Sequence, residues 1–197
     1  MNHQWEVLLA KINTEILADK DLLNEVFYQQ SIPNSILNEP ATKFEIEELE
    51  DRLQMKLPVS YKGFLQVSNG LKILSCFNWN LFGTQDVKLL KDFDPAIAKG
   101  WSKHDFDASD EEYFVYGNGQ TSEFVRGRYF PVSIAISGWG DASMLMLNPE
   151  VIHDGEFEAW MFATWIPGAT RYKSFWDLVN EEFNNYLEIK AQSSSNI

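Results

Sequence analysis

The hydrophobic period of this chain changes twice, and that change limits the possible folds more than any other feature. Trp5, Leu8, Leu9, Ile12 and Ile16 recur at spacings of three and four, and the stripe resumes at Leu23, Val26 and Phe27. That is one apolar helix face, with Asp19–Asp21 placed to interrupt it. SIPNSILNEP follows, and its two prolines and Asn/Ser residues read as a loop. Thr42 and Glu45 stand at capping-box spacing, and Ile46, Leu49 and Leu53 share a face, which predicts a helix over about 42–54. Pro58 suits the first turn of a second short helix, where its missing N–H costs nothing. Tyr61, Phe64 and Leu65 would bury one side of it, and Asn69-Gly70 supplies a left-handed stop.

Beyond Gly70 the period shortens. Leu71–Leu74, Trp79–Phe82, Tyr113–Tyr116, Tyr129–Ser137, Ser143–Leu147 and Glu156–Phe162 are short runs of β-forming residues, separated by Gly, Asn, Asp and Pro. In PVSIAIS, Val132, Ile134 and Ile136 alternate with Ser133, Ala135 and Ser137, as in a strand with one buried and one lighter face. GWGDAS fits a hairpin or bulged turn. DVKLLKDFDPAIAKGW is ambiguous, with room for a short helix. Ser174 then caps a last helix in which Phe175, Leu178, Val179, Phe183, Tyr186 and Leu187 share a face, and AQSSSNI reads as a frayed tail. Helices, a run of strands, then a helix give an α+β fold with a mostly antiparallel sheet flanked by helices. The expected division is an N-terminal helical extension over 1–40, a domain over 41–190 and a tail over 191–197.

The chain has 197 residues, ample for a sizeable core, and 29 acidic against 16 basic side chains, a net charge of −13. The excess is localised. Residues 105–112, DFDASDEE, carry five negative charges, the first forty residues carry four net and 150–197 five, while the middle is nearly neutral. Such a balance argues against direct binding of nucleic acid, which rests on Lys and Arg contacts to phosphate. Exposed acids also keep a protein in solution. The sharper expectation makes Asp105, Asp107, Asp110, Glu111 and Glu112 a docking surface for a cationic protein. No apolar run approaches the roughly 18 residues a membrane span needs. Glu6 and Lys11 break the N-terminal apolar stretch, so a cytoplasmic location is expected.

Candidate chemistry is sparse. His104-Asp105 and His153-Asp154 are adjacent pairs, which do not by themselves give triad geometry, and no G-x-S-x-G elbow accompanies them. The histidines also lack metal-site spacing, and the single Cys76 excludes a disulfide framework and reads as an inert thiol. Gly117-Asn118-Gly119 and Gly138-Trp139-Gly140 lack the third glycine or the Lys-Ser/Thr of a phosphate loop, and read as turns. No enzyme activity, metal or cofactor is called for. The aromatic residues say more: of 28, most belong in a core, but Trp139, in a Gly-flanked turn beside Asp141, and Trp165, before Ile166-Pro167-Gly168, are candidate partner-binding anchors.

The order of these motifs is familiar. IEELEDRLQMKLPVSYKGFLQVSNG (46–70) resembles the signature of the SUKH superfamily, which includes the fungal cell-wall-assembly regulator domain, through Leu57-Pro58, Tyr61, Phe64-Leu65 and Asn69-Gly70. GWGDASMLMLNP (138–149) is similar to that group's G-x-G-D followed by a hydrophobic strand, and Ser174-Phe175 to the start of its last helix. The resemblance covers about 42–188. Two positions depart from the pattern: Gln54-Met55 replaces the usual glycine after the first helix, and Asn148 stands where an aspartate is frequent. The resemblance implies an α+β domain, non-catalytic as a rule and without a characteristic cofactor. Its bacterial members include immunity proteins that bind and neutralise a toxin, often a nuclease or deaminase. The expected function is therefore a cytoplasmic immunity protein whose partner is a cognate toxin, with a regulatory or scaffold interaction domain as the alternative.

Overall fold

The computed structural model describes residues 2–77, 80–104 and 108–194. The N-terminal stripe forms two helices, α1 (Asn2–Leu17) and α2 (Lys20–Val26). They part at Asp19, whose carboxylate accepts the Leu22 N–H at 3.1 Å and caps α2. Helix α3 (Lys43–Leu53) opens on the expected Thr42–Glu45 box, and it closes at Gln54 with φ +56°. That left-handed position favours glycine, and Gln54 occupies it here.

Helix α4 (Val59–Leu65) has Pro58 as its cap, a residue with no side-chain acceptor. The acceptor comes from elsewhere: the Glu156 carboxylate takes the Ser60 N–H at 3.0 Å and the Ser60 hydroxyl as well. Gly70, at φ +87°, follows α4. A Cβ there would stand 2.6 Å from the Leu81 carbonyl oxygen, so the close approach of these two backbones requires glycine.

The described residues form a five-stranded antiparallel sheet in the order β1-β2-β3-β4-β5. Its strands are β1 (Lys88–Leu89), β2 (Ile134–Ala135), β3 (Ser143–His153), β4 (Glu156–Ala163) and β5 (Gly168–Tyr172). Pairs such as Leu147↔Ala159 and Met146↔Trp160 set the central register, with a bulge between Asn148 and Ile152. Asp154 and Gly155, both at positive φ, turn β3 into β4, as a two-residue hairpin requires.

Alternation along the strands feeds two cores. Ile134, Ile136, Leu145, Leu147 and Ala159 face the helical layer, where Trp5, Leu9, Ile12 and Ile16 of α1 meet Phe64 of α4 and Phe175 of the last helix, α8 (Phe175–Ser194). The Trp5 ring lies 5.6 Å from Phe64 and 5.5 Å from Phe175. Ala135, Met144, Met146, Trp160 and Phe162 face a second layer containing Tyr113, Tyr129 and Phe130.

The structure corrects several local expectations. Tyr113–Tyr116 is not a strand: Ser109 and Glu112 form a capping box that starts a short helix, α7 (Asp110–Tyr113), after α5 (Leu90–Phe93) and α6 (Pro95–Trp101). The ambiguous stretch therefore contains one short strand and two short helices. Tyr129–Ser137 begins in a 3₁₀ turn over Gly127–Val132, and Ile134–Ala135 is its one strand, with Ser137 in an isolated bridge to Leu81. Both faces of that strand are covered, so its lighter face packs rather than meets water. Leu71 and Leu81 make isolated bridges, to each other and to Leu37 and Ser137, instead of strands, while Trp79 lies outside the described residues. β5 escaped the sequence reading, and α8 continues to Ser194, beyond residue 191 where a tail was expected.

Candidate partner-binding site

Helix α7 carries three of the acids singled out in the sequence. Glu112 is partly committed: its carboxylate accepts the Ser109 N–H at 2.8 Å, and its own N–H donates to the Ser109 hydroxyl at 3.2 Å. Asp110 pairs with Arg126 at 2.5 Å, although the carboxylate itself is 76% exposed. The same guanidinium lies 4.3 Å from the Tyr113 ring centre. Glu111 is exposed. Asp105 and Asp107 lie outside the described residues. Arg126 thus fixes Asp110 in place and offsets part of the helix's charge.

What holds α7 down is a buried carboxylate that the sequence reading missed. Glu158 of β4 is fully buried and accepts four hydrogen bonds: from Tyr113 Oη at 2.9 Å, Tyr116 Oη at 2.8 Å, Asn148 Nδ2 at 3.0 Å and Trp160 Nε1 at 2.7 Å. Burial, with Glu158 alongside, pushes the Tyr113 and Tyr116 phenols well above their ordinary range, so both remain O–H donors. An aspartate at position 148 would set a second carboxylate against Glu158, whereas Asn148 supplies a donor. The signal was present in EFEAWMF, where a glutamate interrupts an apolar strand.

Arg171, also fully buried, donates to the carbonyl oxygens of Tyr113 and Thr121, and its guanidinium lies 4.4 Å from the Tyr113 ring centre. The Gln120 amide accepts the Arg171 N–H at 2.7 Å and donates to its carbonyl at 3.2 Å, standing in for a neighbouring strand at this sheet edge. His153 Nε2 lies 2.6 Å from the Tyr116 hydroxyl, while Asp154 sits in the hairpin turn at φ +52°. His153 thus belongs to the network that anchors the 113–121 segment. Cys76 is half-buried, and burial raises its thiol, which favours the neutral form.

The remaining candidates meet at the turn into β3. Asp141 and Ala142 both have positive φ, +45° and +54°, and Gly140 bridges Ser143 across them. Trp139 is 37% exposed, and its indole N–H donates to Asp94 Oδ2 at 3.1 Å. Trp165 is 55% exposed, and its N–H donates to the Asp141 carbonyl at 3.2 Å. Two indoles are therefore held in fixed orientations on either side of one turn, with part of each ring in water. Trp139 packs on Phe162, whereas Tyr113 of α7 reaches Glu158, four residues earlier on β4. At ~3.3 Å per residue that is about 13 Å along the strand. The structure brings Trp139, Asp141 and Trp165 together and sets the α7 acids apart from them.

A single antiparallel sheet packed between helices and an irregular layer defines an α+β domain. Among the described residues no group of three or more His, Cys, Asp or Glu is placed to hold a metal, and no helix is long and apolar enough to cross a membrane. The chain belongs to the SMI1 / KNR4 family (SUKH-1), whose model matches residues 40–189. That family includes immunity proteins, and its domains are generally non-catalytic. No curated protein matches the chain.

Proposed function

We propose that the chain is a cytoplasmic immunity protein that binds and neutralises a cognate basic toxin stoichiometrically, without catalysis. Family membership supports the reading, and the observation that carries it is the pair of half-exposed indoles fixed beside Asp141. Aromatic anchors already held in one rotamer lose little freedom on docking. The acids of α7, rigidly mounted over Glu158, steer a cationic partner toward the same layer of the molecule. Against a nuclease, carboxylates would occupy phosphate positions and the indoles base-stacking positions.

The test is co-purification with the product of the adjacent gene, followed by a toxin-protection assay. Neutralising Asp105, Asp107, Asp110, Glu111 and Glu112 together is expected to slow association by about tenfold at low salt, with the difference shrinking as salt rises. Neutralising five acids near the chain ends serves as the control and should slow it less. Equal effects of the two sets would remove the steering role. Binding to a cell-wall or signalling enzyme, with no protection against the toxin, would favour the regulatory alternative.

A further inference from the structure

A groove runs between the C-terminal half of α8 and the sheet, beside Trp165. It holds about 230 Å³, below the ~300–1,000 Å³ of a pocket for a drug-sized ligand and closer to the scale of one long side chain. Its apolar walls are Phe77, Met161, Trp165 and Ile189. The Phe77 and Trp165 rings lie 6.3 Å apart, inclined at 47°, and form one side. Among the described residues the ionisable groups lining it are Glu182 and Glu188, both acids.

We propose that this groove takes one arginine side chain from a cationic protein partner, its guanidinium plane against Trp165 and its N–H groups toward Glu188 and Glu182. The inference rests on the preceding reading only in supposing that the partner is a basic protein. Three features argue for that occupant. An apolar plug would cover the exposed Glu188 carboxylate without offering it a donor, which is costly. A guanidinium is flat and weakly hydrated, so it can lie on an indole while donating to carboxylates, and a lysine ammonium matches this geometry less well. The Trp165 ring is already fixed by its bond to the Asp141 carbonyl, so one face of the slot is preformed.

The condition of Glu182 agrees with this. Burial pushes its carboxyl up to about 7, and neighbouring Glu181 adds to the push, while the Tyr172 hydroxyl at 3.2 Å acts against it. A docked cation would favour the charged form and lower the value. The larger groove next to it, about 570 Å³, shares Met161, Glu182 and Asn185 but also contains Lys173 and Arg171, and its mixed charge selects less sharply.

The experiment uses the full chain, isotope-labelled, titrated with acetyl-Gly-Leu-Arg-Leu-Gly-amide and with the same peptide carrying citrulline in place of arginine. The Trp165 indole N–H and the Ile189 amide are expected to shift at millimolar peptide, with arginine binding at least about fivefold more tightly than citrulline. Trp165→Ala and Glu188→Gln, both at exposed positions, should each weaken the arginine peptide by about five- to tenfold. Glu48→Gln, an exposed acid of α3 remote from the groove, should leave it unchanged. Equal binding of the two peptides, shifts confined to α7, or no shifts at all would overturn the slot. If the neighbouring toxin is bound but the groove variants bind peptide as the parent does, the slot falls and the immunity reading stands. If the peptide results hold and no toxin is bound, the immunity reading falls and the slot stands.

Discussion

Asn148 and Glu158 face each other across β3 and β4, and exchanging one amide for a carboxylate there changes the electrostatics of a buried site. Asn148→Asp places two acids within hydrogen-bond distance, so one must stay protonated or the pair must separate. The variant is expected to lose about 2–4 kcal/mol at pH 7 by urea unfolding and less near pH 4, where a shared proton is easily held. Glu182 has its charged form disfavoured in the fold. Its folded value of about 7 lies above the ordinary 4.5, so the folded state holds the proton more strongly. The stability this contributes is complete below about 4.5 and is lost as pH rises through 7. Glu182→Gln is expected to flatten the pH–stability curve over that interval and to leave the variant on the order of 2 kcal/mol more stable above it. An unchanged curve would mean that the carboxylate is solvated after all. The partners of these residues are not legible in the sequence, because a partner across a strand or helix cannot be read from spacing along one chain.

Among elements, those with local signals were legible and those completed by distant residues were not. The Thr42–Glu45 box, the Asp19 interruption and the Ser174 cap each lie within the element they define. Helix α7 has the same Ser-x-x-Glu signature at 109–112, but the strong β character of the aromatic run after it obscures that signal. β5 is short and has Arg171 at its centre, so burial of a charged residue concealed it. Helix α4 takes its first-turn acceptor from β4 through Glu156. Glu156→Ala is expected to cost about 2 kcal/mol, because the Ser60 N–H and hydroxyl are left buried without an acceptor. The change should move the urea midpoint without altering the slope. A loss below about 0.5 kcal/mol would place water at the helix start instead. The turns around the outward indoles are visible in the sequence, but their hydrogen bonds to Asp94 and the Asp141 carbonyl exist only in the fold.

At the scale of the whole molecule, the matched family region begins at residue 40, yet the helical core begins at Trp5. Trp5, Leu9, Ile12 and Ile16 are fully buried against α4 and α8. At about 1.5–3 kcal/mol per large apolar side chain, their combined burial is comparable to the ~5–15 kcal/mol by which a domain is stable. Removing residues 1–40 is therefore expected to abolish cooperative thermal unfolding, as read by circular dichroism. A truncated chain that melts sharply would show that α1 only decorates the domain. The two cores share the sheet, and that arrangement was only half legible: alternation gave the inner face, but the covering of the outer face depends on the 90–133 connection folding back. The Glu156 contact also has a consequence for the order of biosynthesis. Ser60 and its acceptor are 96 residues apart, so a ribosome adding ~5–20 residues per second delivers Glu156 about 5–20 s after Ser60. During that interval the nascent helix has a proline at its cap and an open first turn, and a chaperone could meet its apolar face before the sheet does.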